Sequence, residues 1–182
     1  MPEPLLVVDV QACFVDKFTQ HVPERIARLI ERGEHDPILY TRFVNVEGSP
    51  FRRMLDWDEC AEPPDTELAP EVRPWATDDR IYSKPGYAGL PDTLAERLIE
   101  EGVTRVCVVG IDTDMCVLKV ALDLFDLNIE PIVLADCCAS TAGLQAHFAG
   151  LAVLARNIGA DRLRDAGLSH GHLAAPPGRG EE

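Results

Sequence analysis

Four stretches of the chain are apolar at nearly every position: residues 5–10 (LLVVDV), 37–44 (PILYTRFV), 103–110 (VTRVCVVG) and 131–135 (PIVLA). A strand shows alternate residues to opposite faces, so a run that does not alternate needs apolar cover on both sides. That is the setting of a parallel sheet with helices above and below. The segments between the runs supply the helices. Ile26, Leu29 and Ile30 repeat at helical spacing, with Pro23 in the first turn and Gly33 past the end. Residues 93–101 carry Leu94 and Leu98 and stop at Gly102, and residues 115–127 and 141–158 read as two further helices. A short strand is expected at 80–83 and a weak sixth near 161–163. The alternation predicts one α/β domain over residues 1–168, with the tail 169–182 (SHGHLAAPPGRGEE) flexible. Only the proline-rich, acidic stretch 45–79 breaks the pattern. It is expected to hold a short helix near 50–57 and to cover a site or form an interface.

Charge narrows the class of partner. Seventeen Lys and Arg stand against 31 Asp and Glu, a formal net charge of −14, which argues against nucleic acid or an anionic membrane as partner. No apolar run approaches the ~20 residues of a membrane span, and the start MPEPLLVVDV lacks a basic leader, so a cytoplasmic protein is expected. In that compartment the six cysteines read as reduced thiols. They form no C-x-x-C pair, so a cysteine that does chemistry does it singly. Neither G-x-G-x-x-G nor a Walker A pattern occurs, and no cofactor is expected.

In an open parallel sheet, ligands bind beyond the carboxyl ends of the strands. Three such ends carry reactive groups: Asp9 after the first strand, Lys84 after the third, and Cys116 a few residues past the fourth. Unpaired amides and the dipole of the following helix should favour a thiolate at Cys116, and a nearby ammonium would favour it further. A carboxylate could take the thiol proton and return it to a leaving group. Each residue also has a plainer explanation: a buried small hydrophobe for Cys116, a cap for Asp9, a solvated loop lysine for Lys84.

Asp9-Val10-Gln11, Lys84-Pro85 and the segment from Gly110 to Val117 (GIDTDMCV), with Ala135-Asp136 and His147 downstream, resemble in order and spacing the motifs of the isochorismatase-like cysteine hydrolases, a superfamily that includes nicotinamidases. The resemblance covers roughly residues 5–163. It implies a Rossmann-like three-layer fold with a six-stranded parallel sheet, a catalytic triad of Asp9, Lys84 and Cys116, and a non-proline cis peptide at Ile111–Asp112. The oxyanion donors would be the amides of Asp112 and Cys116. The implied activity is cleavage of a C–N bond in a small amide, ureide or carbamoyl compound through a Cys116 thioester, by a homodimer or homotetramer.

The chain departs from its nicotinamidase relatives after the second strand. They hold a divalent metal there through Asp-x-His and a further His, whereas this chain reads TRFVNVE, so no metal is expected. Gln11, Phe14, Arg42, Asn45 and Tyr87 are the candidate substrate-binding residues, with Phe18, Phe43 and Trp57 as further aromatic lining and Arg52 and Arg53 as available cations. Asp112 would oppose an oxyanion unless its carboxylate turns away; binding of turn amides is the expected use, with a cationic substrate or a partner subunit as the alternatives. Cys13 is expected as pocket wall. Cys107, Cys137 and Cys138 are expected in the core, and His170 and His172 in solvent. Two other functions stay open: a binding protein that uses Cys116 as a sensor thiol, and a metal-dependent nicotinamidase.

Overall fold

The computed structural model describes residues 2–87 and 89–168, so His170, His172 and the proposed tail lie outside the described residues. The four apolar runs are strands, as expected, with shifted ends: β1 (Glu3–Val8), β2 (His35–Phe43), β4 (Arg105–Ile111) and β5 (Glu130–Ala139). The short β3 (Ile81–Lys84) and β6 (Leu163–Arg164) complete one sheet of order β3-β2-β1-β4-β5-β6, parallel at every pairing. β5 runs beyond the predicted 131–135, because its partner register shifts between Val108 and Gly110 and pairing then resumes from Gly110 to Cys138.

The faces of β1 explain its unbroken apolarity. Leu5 and Val7 pack into one core with Val22, Ile26 and Leu29 of α1 (Val22–Glu31). Leu6 and Val8 pack into the other with Leu94 and Leu98 of α3 (Asp92–Glu100), Val120 and Leu124 of α4 (Leu118–Asp126) and Leu154 of α5 (Leu144–Ile158). All of these side chains are essentially inaccessible, each contributing ~1.5–3 kcal/mol of transfer free energy. The remaining helix, α2 (Pro50–Leu55), starts at a Ser49 hydroxyl that accepts the Arg52 amide and ends at a left-handed Asp56.

Stretch 45–79 is a packed wall. Leu68 pairs with Gln11 in an isolated bridge, the amides of Ala12 and Cys13 donate to the carbonyls of Glu67 and Asp65, and Ala69 N–H donates to Val10. The expectation that all six cysteines are free is overturned here. Cys13 and Cys60 form a disulfide, with Cα atoms 5.7 Å apart. The sequence hides the pairing because 47 positions separate the two residues. Cys107, Cys137 and Cys138 are buried thiols, as expected.

Two glycines set distances. Gly110 has φ +135°, and a Cβ on it would lie 2.1 Å from the Val8 carbonyl oxygen, so only glycine lets β4 approach β1 here. On α5, a Cβ at Gly150 would lie 2.7 Å from the Cα of Asp114.

Candidate active site

The sheet order reverses between β1 and β4, and the crevice at such a reversal is where open sheets bind ligands. Asp9 follows β1 with φ 50°, a left-handed conformation that Asp tolerates better than most residues but that costs free energy. Its backbone N–H reaches the Thr41 carbonyl at 3.3 Å and the Thr41 hydroxyl oxygen at 3.2 Å, and that hydroxyl donates to Asp9 Oδ1 at 2.7 Å. The other oxygen, Oδ2, lies 2.8 Å from Lys84 Nζ, with the two side chains 0% and 1% exposed. Burial alone would lower the Lys84 pKa, but the Asp9 carboxylate and Cys116 outweigh it and hold the ammonium above its ordinary range.

Cys116 sits on a single π-helical turn, Thr113–Val117, between β4 and α4. The turn opens on Asp112, whose carbonyl accepts from Met115 at 3.2 Å and from Val117 at 2.9 Å. The peptide Ile111–Asp112 is cis, as the resemblance implied. Thr113 Oγ1 lies 2.7 Å from His147 Nδ1 on α5, and the Gly150 contact presses the same helix onto the turn. The Cys116 sulfur lies near enough to both members of the buried pair to feel the charge of each. A depressed thiol pKa was expected, and the structure reverses the sign. Burial raises it first, the Asp9 carboxylate raises it further, and Lys84 offsets only part.

This group opens onto a cavity of about 470 Å³. One set of lining residues, Ile111, Asp112, Met115 and Cys116, comes from the end of β4 and the π-helical turn. Another, Phe43, Phe51, Leu55, Trp57 and Glu59, comes from the end of β2 and the wall beyond it. Phe51 stands 5.0 Å from Phe43 and 4.7 Å from Tyr87, and Phe14 stacks on Trp57 at 6.4 Å between centroids.

The candidate binding residues divide. Phe14 and Tyr87 line the cavity, as do Phe43, Trp57 and Cys13, whereas Gln11, Arg42 and Asn45 do not. Gln11 is a fully buried clamp: its amide nitrogen donates to the carbonyls of Phe43 (2.9 Å) and Thr66 (3.1 Å), and its oxygen accepts from Phe43 N–H (2.7 Å). Asn45 donates to the carbonyls of Trp57 and Glu59 and accepts from Ser49, so it fastens the wall. Arg42 is bound to Ser83 on the neighbouring strand. Phe18 is 43% exposed, packed beside Gly143. The sequence reading missed Phe51 as lining and Thr41 as the partner of Asp9. Thr41 had left a signal, a hydroxyl inside an apolar run.

Asp112 uses its carboxylate as expected in kind but farther along the chain. Oδ1 accepts the Thr141 amide at 2.6 Å and Oδ2 the Thr141 hydroxyl at 2.9 Å, in the β5–α5 connection. Burial pushes its pKa up to about 6 despite these bonds. The metal site of nicotinamidase relatives does not fit the residues present. Asn45 spends its side chain on the wall, and among the described residues no three His, Cys, Asp or Glu side chains gather where an ion could bind.

Residues 3–162 match the isochorismatase domain model. The chain belongs to the isochorismatase family. Its sequence is 30% identical over 88 residues to the ureidoacrylate amidohydrolase RutB of Acinetobacter baylyi, a match that covers 48% of this chain and 36% of that protein. The chain thus matches well under half the length of its curated relatives. The fold is shared with an isochorismatase-like hydrolase from Alkaliphilus metalliredigens (TM-score 0.78, 20% identity, covering 91% of this chain and 96% of that one). It is also shared with N-carbamoylsarcosine amidase from Thermoplasma acidophilum (TM-score 0.75, 21% identity, covering 94% and 100%).

Proposed function

We propose that this isochorismatase-family chain is a cysteine amidohydrolase that cleaves the C–N bond of a small amide, ureide or carbamoyl compound, with Asp9, Lys84 and Cys116 as its triad. The observation that carries the reading is the ion pair of Asp9 and Lys84, buried beside a thiol that faces an open cavity. Burying two charges is costly, and a pair that only held strands together could be replaced by apolar side chains at little loss. Beside a nucleophile the pair has a use. The named activities of RutB and of N-carbamoylsarcosine amidase, both C–N cleavage, support the same reading.

The raised thiol pKa sets the order of events. As a substrate carbonyl meets Cys116, the thiol proton passes to Asp9 while the S–C bond forms, so a free thiolate need not accumulate. The amides of Asp112 and Cys116 hold the tetrahedral oxyanion. Collapse breaks the C–N bond, and Asp9 returns the proton to the departing amine, leaving a thioester. Water then attacks the thioester, Asp9 takes its proton, and that proton restores the Cys116 thiol as the acid leaves. Lys84, 2.8 Å from Asp9 Oδ2, keeps the carboxyl oriented between transfers.

The test is ammonia or amine release from a panel of carboxamides, ureides and carbamoyl amino acids, run with the wild type and Cys116→Ala together. Release by the wild type, absence of release by the variant, and an acyl adduct on Cys116 in the mass spectrum support the proposal. A reactive Cys116 that releases nothing from any compound would replace the hydrolase with a thiol sensor.

A further inference from the structure

Hydrolysis of an amide makes no use of one property of the cavity, its charge. Asp16, Glu59 and Asp112 line it, and among the described residues no lysine, arginine or histidine does. Of the arginines that looked available, Arg42 is held on Ser83 and Arg52 on the Asn45 carbonyl, and the exposed Arg53 does not line the cavity. Lys84 lies close behind Cys116, but it is 1% exposed and neutralised by Asp9. Asp112 is engaged twice by Thr141. Asp16 Oδ1 accepts from the amides of Phe18 and Thr19, and the exposed Glu59 accepts from the Trp57 indole N–H at 3.3 Å. Much of the remaining lining is aromatic.

Carboxylates beside aromatic rings, away from other cations, suit one kind of ligand. An anionic group would lose water here and find no counterion. A neutral flat ring would stack but would leave the two acids without a role. An alkylated ammonium gains from the ring quadrupoles and from the carboxylates while its methyl shell packs as hydrocarbon. The net charge of −14 would draw such a ligand in. The group belongs on the acyl part, because that part stays in the cavity through both halves of the reaction.

Resting on the hydrolase reading above, we propose that the substrate is a small amide whose acyl part carries an alkylated or quaternary ammonium, seated among Phe14, Trp57 and Tyr87 with Asp16 and Glu59 as countercharge. Three probes test it: trimethylammonioacetamide, its uncharged tert-butyl isostere, and the half-amide of a short dicarboxylic acid. Calorimetric titration of Cys116→Ala measures binding, and ammonia release by the wild type measures turnover. The cation is expected to bind about tenfold tighter than its isostere, with the anion weakest. Adding Asp16→Asn and Glu59→Gln, or Trp57→Leu alone, is expected to cut that advantage to about threefold or less. Equal binding of cation and isostere, preference for the anion, or no saturable binding of any probe overturns the inference. Tight cation binding without ammonia release from this probe or from the broader panel would sink only the hydrolase reading. Ammonia release with no preference would sink only the ammonium.

Discussion

The two ends of the sheet each gather carboxylates and a cation, with opposite results. Glu3, Arg105 and Glu130 are the first residues of β1, β4 and β5. Arg105 bonds both glutamates, at 2.9 and 2.6 Å, while 41% exposed. At the other end the Asp9–Lys84 pair is as short but sealed. Water screens the first group and leaves it to fasten neighbouring strands. Without that screening, the second acts on its neighbour: after burial itself, the Asp9 carboxylate raises the Cys116 pKa and Lys84 offsets part of the rise. Pairing of charges is thus common to both ends, and burial is what separates them.

Experiments that break this contrast rank by expected size. Cys116→Ala should abolish turnover and leave the melting transition in place, followed by ammonia release and circular dichroism, because a thiol at a cavity wall supports little of the core. Lys84→Met should abolish turnover as well and destabilise the chain by about 3–5 kcal/mol, since it strands a buried carboxylate. Adding Asp9→Asn should restore most of that stability and none of the activity, as read by urea denaturation and the same assay. If Lys84→Met alone costs nothing, the pair is not the sealed group described.

Smaller effects follow. Asp112 holds its proton more tightly when folded, with a pKa of about 6 against 3.8. Its contribution is therefore fully present below 3.8 and is lost as pH rises to about 6. Asp112→Asn keeps a partner for Thr141 and should cancel this loss. The stability of the wild type relative to the variant should fall by at most about 3 kcal/mol between pH 3.5 and 7. Since the Asp112 charge also raises the Cys116 pKa, the variant thiol should be alkylated faster at neutral pH. Smallest of all, Arg105→Ala should leave the denaturation midpoint and turnover unchanged, and added salt should not distinguish it from wild type. A large loss there would erase the difference between the two ends.

Much of this contrast was legible in the residues. Apolar runs located the strands, and the chemistry at their ends picked out Asp9, Lys84 and Cys116, because a strand end in a parallel sheet is a fixed place in space. The rest depended on contacts between distant segments. Gln11 and Asn45 looked like ligand groups because an amide reads the same whether it meets a substrate or a carbonyl far along the chain. The Cys13–Cys60 bond joins a loop after β1 to a wall whose path no periodicity describes. The sign of the Cys116 shift depends on how much protein covers the sulfur, and spacing carries no record of depth.

The contact at Gly150 bears on how this chain can change. Helix α5 meets the turn that carries Cys116 at Gly150 with no Cβ to spare, beside the side-chain contact of His147 with Thr113. Alteration of the outward positions of α5 leaves the sulfur's bearing untouched, while a single added methyl at 150 would swing it off line. New specificities should therefore arise by replacing rings that line the cavity, and loss of reactivity by substitutions on a helix that contributes nothing to that lining.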